Sequence, residues 1–395
     1  MKVFGWAVLI AAALSPTAVC WSAPDLIVSN VTVIDGTGAP ARLNTWVEIA
    51  DGRITRPADR PISGPKRVID GTGKFLIPGL IDVHIHLKGG GAWGDKPAPD
   101  VARGKDGLHA YIKRGVTAIF DAGNAPEFIY GLRAQERAGE IVSPRIFTTG
   151  QMVGTAQFRG AAPGEIAPWP EIEKRLDRFV ASEPDLLKFS FERFGAAPGE
   201  VIAAVPLDTI RRTVAYVRAK GMRTTIHITD EVIAATVVAA GMSTLEHPVV
   251  TTPISDEFAR ILADQRIPFA TTLSIFDELK TMMWPEWTAP MRAQTMTNVR
   301  KIVELGGIAV VGSDHFDPAM VHREIRLIGE TGLPPLTVIR IATLNGAIFL
   351  DREKEFGSIE VGKLADMVLL NADPLIDLGN LERIDAVFKA GVEIE

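Results

Sequence analysis

The sequence predicts an α/β fold: a (β/α)8 TIM barrel, with a small β domain contributed by both chain ends. Three observations carry this expectation. Short β-branched runs broken by glycine turns occupy both termini, strand-like and helix-like segments alternate between them, and polar residues recur where those inner strands end.

In chain order, Lys2 precedes an apolar run over residues 3–14, followed by Ser15, Pro16 and small residues up to Ala23. A positive end, a short apolar core and small residues make the pattern of a secretory signal, and the run is too short to span a bilayer. Residues 1–22 are expected to be removed near Cys20 to Ala23, leaving an exported protein, periplasmic or secreted. Val19 is a poor match for the residue before an acylated cysteine, so lipoprotein anchoring at Cys20 is disfavoured. No later segment approaches the ~18 consecutive apolar residues of a membrane span, and no transmembrane anchor is expected in the mature chain.

Residues 26–34, 45–50 and 67–70 read as strands, broken by Asp-Gly turns at 35–38, 51–53 and 70–73; residues 365–370 and 384–391 have the same character. A sheet face must be covered, and two strand-rich ends around a different middle can cover each other, so 23–77 and 346–395 are expected to build one small sheet domain. Between them, 78–345 carries strand candidates at 80–86, 116–122, 145–150, 185–190, 223–229, 243–248, 268–273 and 309–314. Helix-like intervals such as 207–220 and 230–240 separate them. Eight strands with intervening helices fit a barrel whose catalytic groups stand at the carboxyl ends of the strands. A doubly wound open sheet is the alternative.

Composition bounds the chemistry. The 395 residues are 47% hydrophobic and 23% charged, which suits a chain with one or two large cores and excludes a disordered or fibrous protein. Cys20 is the single cysteine, so the mature chain has no disulfide, no cysteine-held zinc or iron–sulfur cluster and no cysteine nucleophile; any metal must be held by nitrogen and oxygen. A net charge of −6 lacks the basic field that nucleic-acid binding needs, and no such partner is expected.

Four of the seven histidines, His84, His86, His227 and His247, fall at or near strand ends, and His315 directly follows another. Residues i and i+2 of a strand face the same side, so His84 and His86 can grip one ion together; a pair of hydrogen-bonded core histidines is the structural alternative. Lys188 interrupts the apolar run of strand four, where a buried ammonium is costly without a partner, and Asp314 ends strand eight. His109 and His322 sit in helical contexts and are expected to be structural.

The ordered set of segments at 70–87 (DGTGKFLIPGLIDVHIHL), 226–230, 239–248, 312–314 and 343–375 resembles the metal-dependent amidohydrolase superfamily, in its binuclear branch near prolidase-like and imidazolonepropionase-related hydrolases. The resemblance implies a barrel with a β-sandwich built from both termini. It implies two divalent metal ions, zinc by default, and N6-carboxylation of Lys188. His84 and His86 would hold one ion with Asp314, His227 and His247 the other, and the modified Lys188 would bridge them. It further implies attack on an amide carbonyl by a bridging hydroxide, with Asp314 as the proton shuttle. The expected substrate is a small molecule: a dipeptide, Xaa-Pro or otherwise, or an N-acyl amino acid. Hydrolysis of a cyclic amide, lactam or lactone is the alternative reaction, and a non-catalytic binding protein the alternative class. Homo-oligomers are common in the family. The pocket departs from its relatives at 189–195 after strand four and at Thr229 after strand five. Arg193, His315 and Gln151 are candidate substrate contacts, Gly123, Asn124 and Met152 weaker ones, and the loops 89–100 and 275–290 are candidate rims, the latter as an aromatic lid.

Overall fold

The computed structural model describes residues 25–58, 64, 66–90, 99–162, 164–194, 201–277 and 285–395, without the side chains of 56–58, 193–194 and 285–287. The expected signal at 1–22 lies outside the described residues.

Numbered in chain order, the N-terminal strands are β1 (Leu26–Val33), β2 (Arg42–Ala50), β3 (Arg53–Ala58), β4 (Arg67–Asp70) and β5 (Phe75–Pro78). They share one eight-stranded sheet with the last three strands, β15 (Met367–Leu370), β16 (Ile384–Lys389) and β17 (Val392–Glu393), in the order β17-β16-β15-β5-β1-β2-β3, with β4 pairing β1. The two ends of the chain meet at β5 and β15, which pair antiparallel from Phe75–Leu370 to Pro78–Met367. Hydrogen bonding joins these strands in one continuous sheet. Strand alternation gives it two apolar faces: Met367 and Leu369 join a core with Val28, Val47 and Phe388, whereas Val368 and Leu370 pack into the main core of the molecule.

The inner strands are β6 (Leu80–Ile85), β7 (Val116–Asp121), β8 (Arg145–Thr148), β9 (Leu187–Ser190), β12 (Thr224–His227), β13 (Phe269–Ala270) and β14 (Ala309–Val310); β10 (Glu192–Phe194) and β11 (Val201–Ala203) form a hairpin after β9. They make three separate parallel ladders: β6-β7-β8, β9-β12 and β13-β14. Single backbone bonds carry the connection onward. Asp185 N donates to Thr148 O (2.9 Å) and Val153 N to Lys188 O (2.9 Å), Glu246 N reaches Ile226 O (2.9 Å), and Leu245 N reaches Pro268 O (2.9 Å). Val83 N to Val311 O (2.9 Å) and Asp314 N to His84 O (2.7 Å) lead from the β14 end back to β6. The segment expected as a strand at 243–248 forms only an isolated bridge, Leu245 to Phe269. It still bonds both neighbours, Thr244 N and Glu246 N to Thr224 O and Ile226 O on one side and Leu245 N to Pro268 O on the other, but the pairing extends no further.

Helices alternate with these strands, as in Leu207–Ala219, which buries Ile210, Val214 and Val217 at helical spacing. Asp230 caps Glu231–Ala239, its side chain accepting from Val232 N and Ile233 N. Among the described residues no helix is long and apolar enough to cross a membrane.

Asp366 joins the terminal sheet to the strand core. Its carboxylate accepts both arms of Arg145 at the start of β8 (2.9 and 3.1 Å) and Ala390 N (2.7 Å), and its carbonyl accepts Gly79 N (2.9 Å). The Asp366 side chain is 2% exposed and that of Arg145 22%. Removing one member of a buried, bidentate pair strands the other charge. Asp366→Ala is therefore expected to cost about 3 kcal/mol in urea denaturation; a loss within about 0.5 kcal/mol, the size of an ordinary surface substitution, would show that the pair does not couple the two units.

Candidate metal centre

Every residue of β6 is buried. Its period-two geometry continues beyond Ile85, and His84 and His86 turn toward the same carboxylate: His84 Nε2 lies 3.3 Å and His86 Nε2 3.5 Å from Asp314 Oδ1. One ligand atom from each of these three residues lies within 4.8 Å of the others, so the group could hold a metal ion. Lys188 Nζ, from β9, is 2.9 Å from His84 Nε2. His247 Nε2 is 4.0 Å from Asp314 Oδ2, with ring centres 4.9 Å from His84 and 4.4 Å from His227. All six residues expected in a metal shell therefore meet at one place.

Local backbone explains how they reach it. Asp314 has φ of +50°, in the left-handed region that non-glycine residues seldom occupy, immediately after its amide bonds to His84 O. Gly312 is required two residues earlier, because a Cβ there would come within 2.8 Å of the Cβ atoms of His84 and Ala270. Thr272 is also left-handed, at φ +41°, a strained state for a β-branched residue, and its hydroxyl meets His247 Nδ1 at 2.8 Å.

Buried carboxylates hold these pieces in register. Asp82 accepts His84 N (3.1 Å), Ser313 N (3.0 Å) and Ser313 Oγ (2.6 Å), fastening the β6 end to the residue before Asp314. Asp121 accepts Leu87 N, Gly123 N and Asn124 Nδ2 at 2.9–3.1 Å, and Gly123 O in turn receives His86 Nδ1 (3.1 Å). Glu324 accepts Leu273 N (2.9 Å), Ser274 N (2.6 Å) and the Thr271 hydroxyl, fixing the loop that carries Thr272. Glu246, beside His247, points at His84 instead. None of Asp82, Glu246, Glu324 or Thr272 was expected from the sequence. Asp82 shares the parity of the two histidines and could have been found from it, whereas Glu324 sits on the helix Met320–Glu330 with no local signal.

Burial sets the charge states. It pushes His227 down to about 4, with Lys188 adding to the shift, and His247 well below the ordinary imidazole value, with His227 adding to it. Burial likewise lowers Lys188. Burial would raise Asp314, but His84, His86 and His247 together hold it well below the usual carboxylate range. Neutral His227 and His247, a lysine biased toward its free amine and an anionic carboxylate are the forms that ligate metals, whereas burial would lower His84 but Asp314 and Glu246 raise it. His247 Nε2 is buried and has no hydrogen-bond partner among the described residues, as an imidazole kept for an ion would be. The donor set fits divalent ions held by nitrogen and oxygen.

The expected substrate contacts do not gather in the same way. Arg193 stands in β10, and its side chain lies outside the described residues. His315 is half-buried beside Asp314, but its Nδ1 accepts Asp317 N (2.9 Å) within its own loop. Gln151 lines a separate cavity of about 490 Å³ with Arg159, Arg175 and Arg178. Asn124 is spent on Asp121 and on Leu87 O (3.0 Å). His322 donates Nε2 to Arg114 O (2.9 Å), a structural bond, and His109 is exposed on its helix. Of the loop rims, 91–98 and 278–284 lie outside the described residues, as do the side chains of 285–287; nothing described bears on the aromatic lid.

The amidohydrolase family signature matches residues 75–394, and the chain belongs to that family. It is thus a hydrolase acting on carbon–nitrogen bonds, from a metal-dependent family. It is 25% identical over 403 residues to the imidazolonepropionase of Alkaliphilus oremlandii, covering 88% of this chain and 89% of that one. A 30% match to the N-acetylglucosamine-6-phosphate deacetylase of Lysinibacillus sphaericus is confined to 160 residues, 38% of this chain and 39% of the deacetylase. Among solved structures, a Xaa-Pro dipeptidase with methionine bound in its active site shares the fold, with a TM-score of 0.78 at 21% identity over 94% of this chain and 99% of that one.

The segment after strand four and Thr229 after strand five are joined in the structure. Glu192 in β10 accepts Thr229 N and Thr229 Oγ1 (2.7 Å each) and Asp230 N (3.3 Å), clamping the hairpin to the turn after His227. Burial raises its carboxyl to about 7 despite those bonds. An acid whose pKa is higher folded than unfolded favours the fold fully below its unfolded value, and that contribution is lost as pH rises through the folded one. Between pH 4.5 and about 7, the stability of the wild type should therefore fall more steeply than that of Glu192→Gln. Parallel thermal-melt profiles over this window would exclude the clamp as a titrating group.

Proposed function

We propose that the protein is an exported binuclear metallohydrolase on a closed (β/α)8 barrel, cleaving the amide bond of a dipeptide or an N-acyl amino acid. The observation that carries the reading is the convergence of His84, His86, Lys188, His227, His247 and Asp314 at the ends of different strands, with the first two and Asp314 within bonding reach of one ion. The circular order of backbone bonds around the inner strands supports the barrel, and the charged, apolar and small-residue pattern of residues 2–23 supports export. The likeness to a dipeptidase with an amino acid in its active site favours a substrate that releases one.

His84, His86 and Asp314 would hold one ion, and His227 and His247 the other. Lys188 would stand between them: its free amine, favoured by burial, attacks carbon dioxide, a nitrogen–carbon bond forms and a proton leaves, giving a carbamate with two oxygen ligands. Divalent ions such as zinc, when bound, supply an acidified water and stabilise negative charge developing on a carbonyl oxygen. Asp314, kept anionic by three histidines and fixed by its left-handed backbone, is the base that would accept a proton from the attacking water and return it to the departing amine nitrogen. His86 and His247 keep their orientation through Gly123 O and Thr272 Oγ1, so each presents Nε2 to the centre.

A cyclic amide, lactam or lactone is the second reading, favoured by the full-length similarity to a protein named for an imidazolone substrate. Family membership sets aside a purely binding role.

Chelation should abolish hydrolysis and divalent ions restore it. Asp314→Asn is expected to retain metal while kcat falls at least ~100-fold; turnover close to wild type would remove its proton-transfer role. Intact mass of the native protein should show the gain of one carbon dioxide, lost in Lys188→Ala. A panel of Xaa-Pro, Xaa-Arg and N-acyl amino acid substrates beside cyclic amides tests the substrate class, and turnover of cyclic compounds alone would reject the dipeptide reading.

A further inference from the structure

Four carboxylates are buried around the centre without belonging to the six-residue shell, and three have a structural explanation. Asp82, Asp121 and Glu324 each accept three hydrogen bonds that fasten loops together. Glu246 does not. It is fully buried, and neither carboxylate oxygen completes a hydrogen bond among the described residues. Its Oε2 nevertheless lies 3.0 Å from His84 Nδ1, and its own carbonyl oxygen lies 3.2 Å from the same nitrogen.

A buried carboxylate without hydrogen bonds is costly, and for filling space a leucine or glutamine would serve better. The position makes sense only against positive charge. His84 lies at contact distance with Thr225 also beside the carboxylate, and the opposite nitrogen of the His84 ring faces Asp314 (3.3 Å) and Lys188 (2.9 Å). Glu246 therefore stands directly behind a ligand, on the side away from the ion. The carbonyl at 3.2 Å is enough to select the Nδ1–H tautomer, but it brings no net charge; the carboxylate does. Two divalent ions held by neutral imidazoles would otherwise meet only two anionic protein ligands, Asp314 and a carboxylated Lys188.

We propose that Glu246 is a positioning residue of the metal centre, which orients His84 through Nδ1, makes Nε2 a stronger donor and offsets the charge of the bound ions. This rests on the metallohydrolase reading, and it assigns a role to a residue outside the ligand set. A carboxylate behind a ligating histidine raises its basicity, and losing such a group weakens metal binding about 10- to 100-fold.

Glu246→Gln and Glu246→Leu separate these roles. Metal content by elemental analysis, affinity by chelator competition, the visible spectrum of the cobalt-loaded protein and the melting temperature of the metal-free protein would be compared with wild type. The expected result is a metal affinity about 10- to 100-fold lower in both variants, an altered cobalt spectrum, and metal-free proteins that still fold. Unchanged affinity and spectrum would overturn the proposal. So would variants that fail to fold without metal, since Glu246 would then be a structural residue. If the wild type binds no divalent ion, the metallohydrolase reading itself fails, a result distinguishable from failure of the Glu246 role alone.

Discussion

The structure depends on burying a cluster of titratable groups at the ends of the inner strands. Imidazoles, a lysine and carboxylates packed within a few ångströms have lost their water, and each must be neutral, paired or held for a cation. The centre uses all three solutions: neutral His227 and His247, an anionic Asp314 between histidines, and a lysine biased toward its free amine. A site that buries so many titratable groups and leaves His247 Nε2 and both Glu246 oxygens without a hydrogen bond among the described residues is expensive as packing and sensible as a receptacle for divalent ions.

That expense explains the density of supports around it. Asp82 couples the first inner strand to the last, Asp121 couples the first to the second, and Glu324 holds the loop whose Thr272 meets His247. The two strained backbones, at Asp314 and Thr272, fall at these supported points. Strain of that kind persists only where the surroundings over-determine it, and here the surroundings are carboxylates accepting several bonds each. The terminal sheet contributes at a distance, by closing the apolar underside of the strand core and by the Arg145–Asp366 pair.

Chemistry and specificity occupy different parts of the molecule. The ligand cluster stands on strand ends, where alternation and hydrogen bonding leave little freedom. The candidate substrate residues lie on connections, and the structure disperses them: Gln151 in an arginine-lined cavity, His315 bonded within its own loop, Asn124 committed to a carboxylate. Loops tolerate such divergence because their backbone is not held by ladders, so relatives sharing a metal centre can differ in substrate.

The sequence by itself determined the pairing of the chain ends in one sheet, the alternation of strands and helices between them, and the six residues that meet at the centre. Each of these is a local or periodic property: β-branched runs between Asp-Gly turns, a His at i and i+2, a lysine breaking an apolar strand. Only the tertiary structure decided which carboxylates stand behind the ligands. Glu246 is adjacent to a ligand yet serves a different one, 162 residues away in the chain, and Glu324 reaches the centre from a helix. It also reduced the expected strand at 243–248 to a single bridge, because ladder length depends on neighbours that the segment itself does not encode. Tautomers, charge states and strained backbones arise from burial and from contacts distant in the chain, and no local pattern carries them.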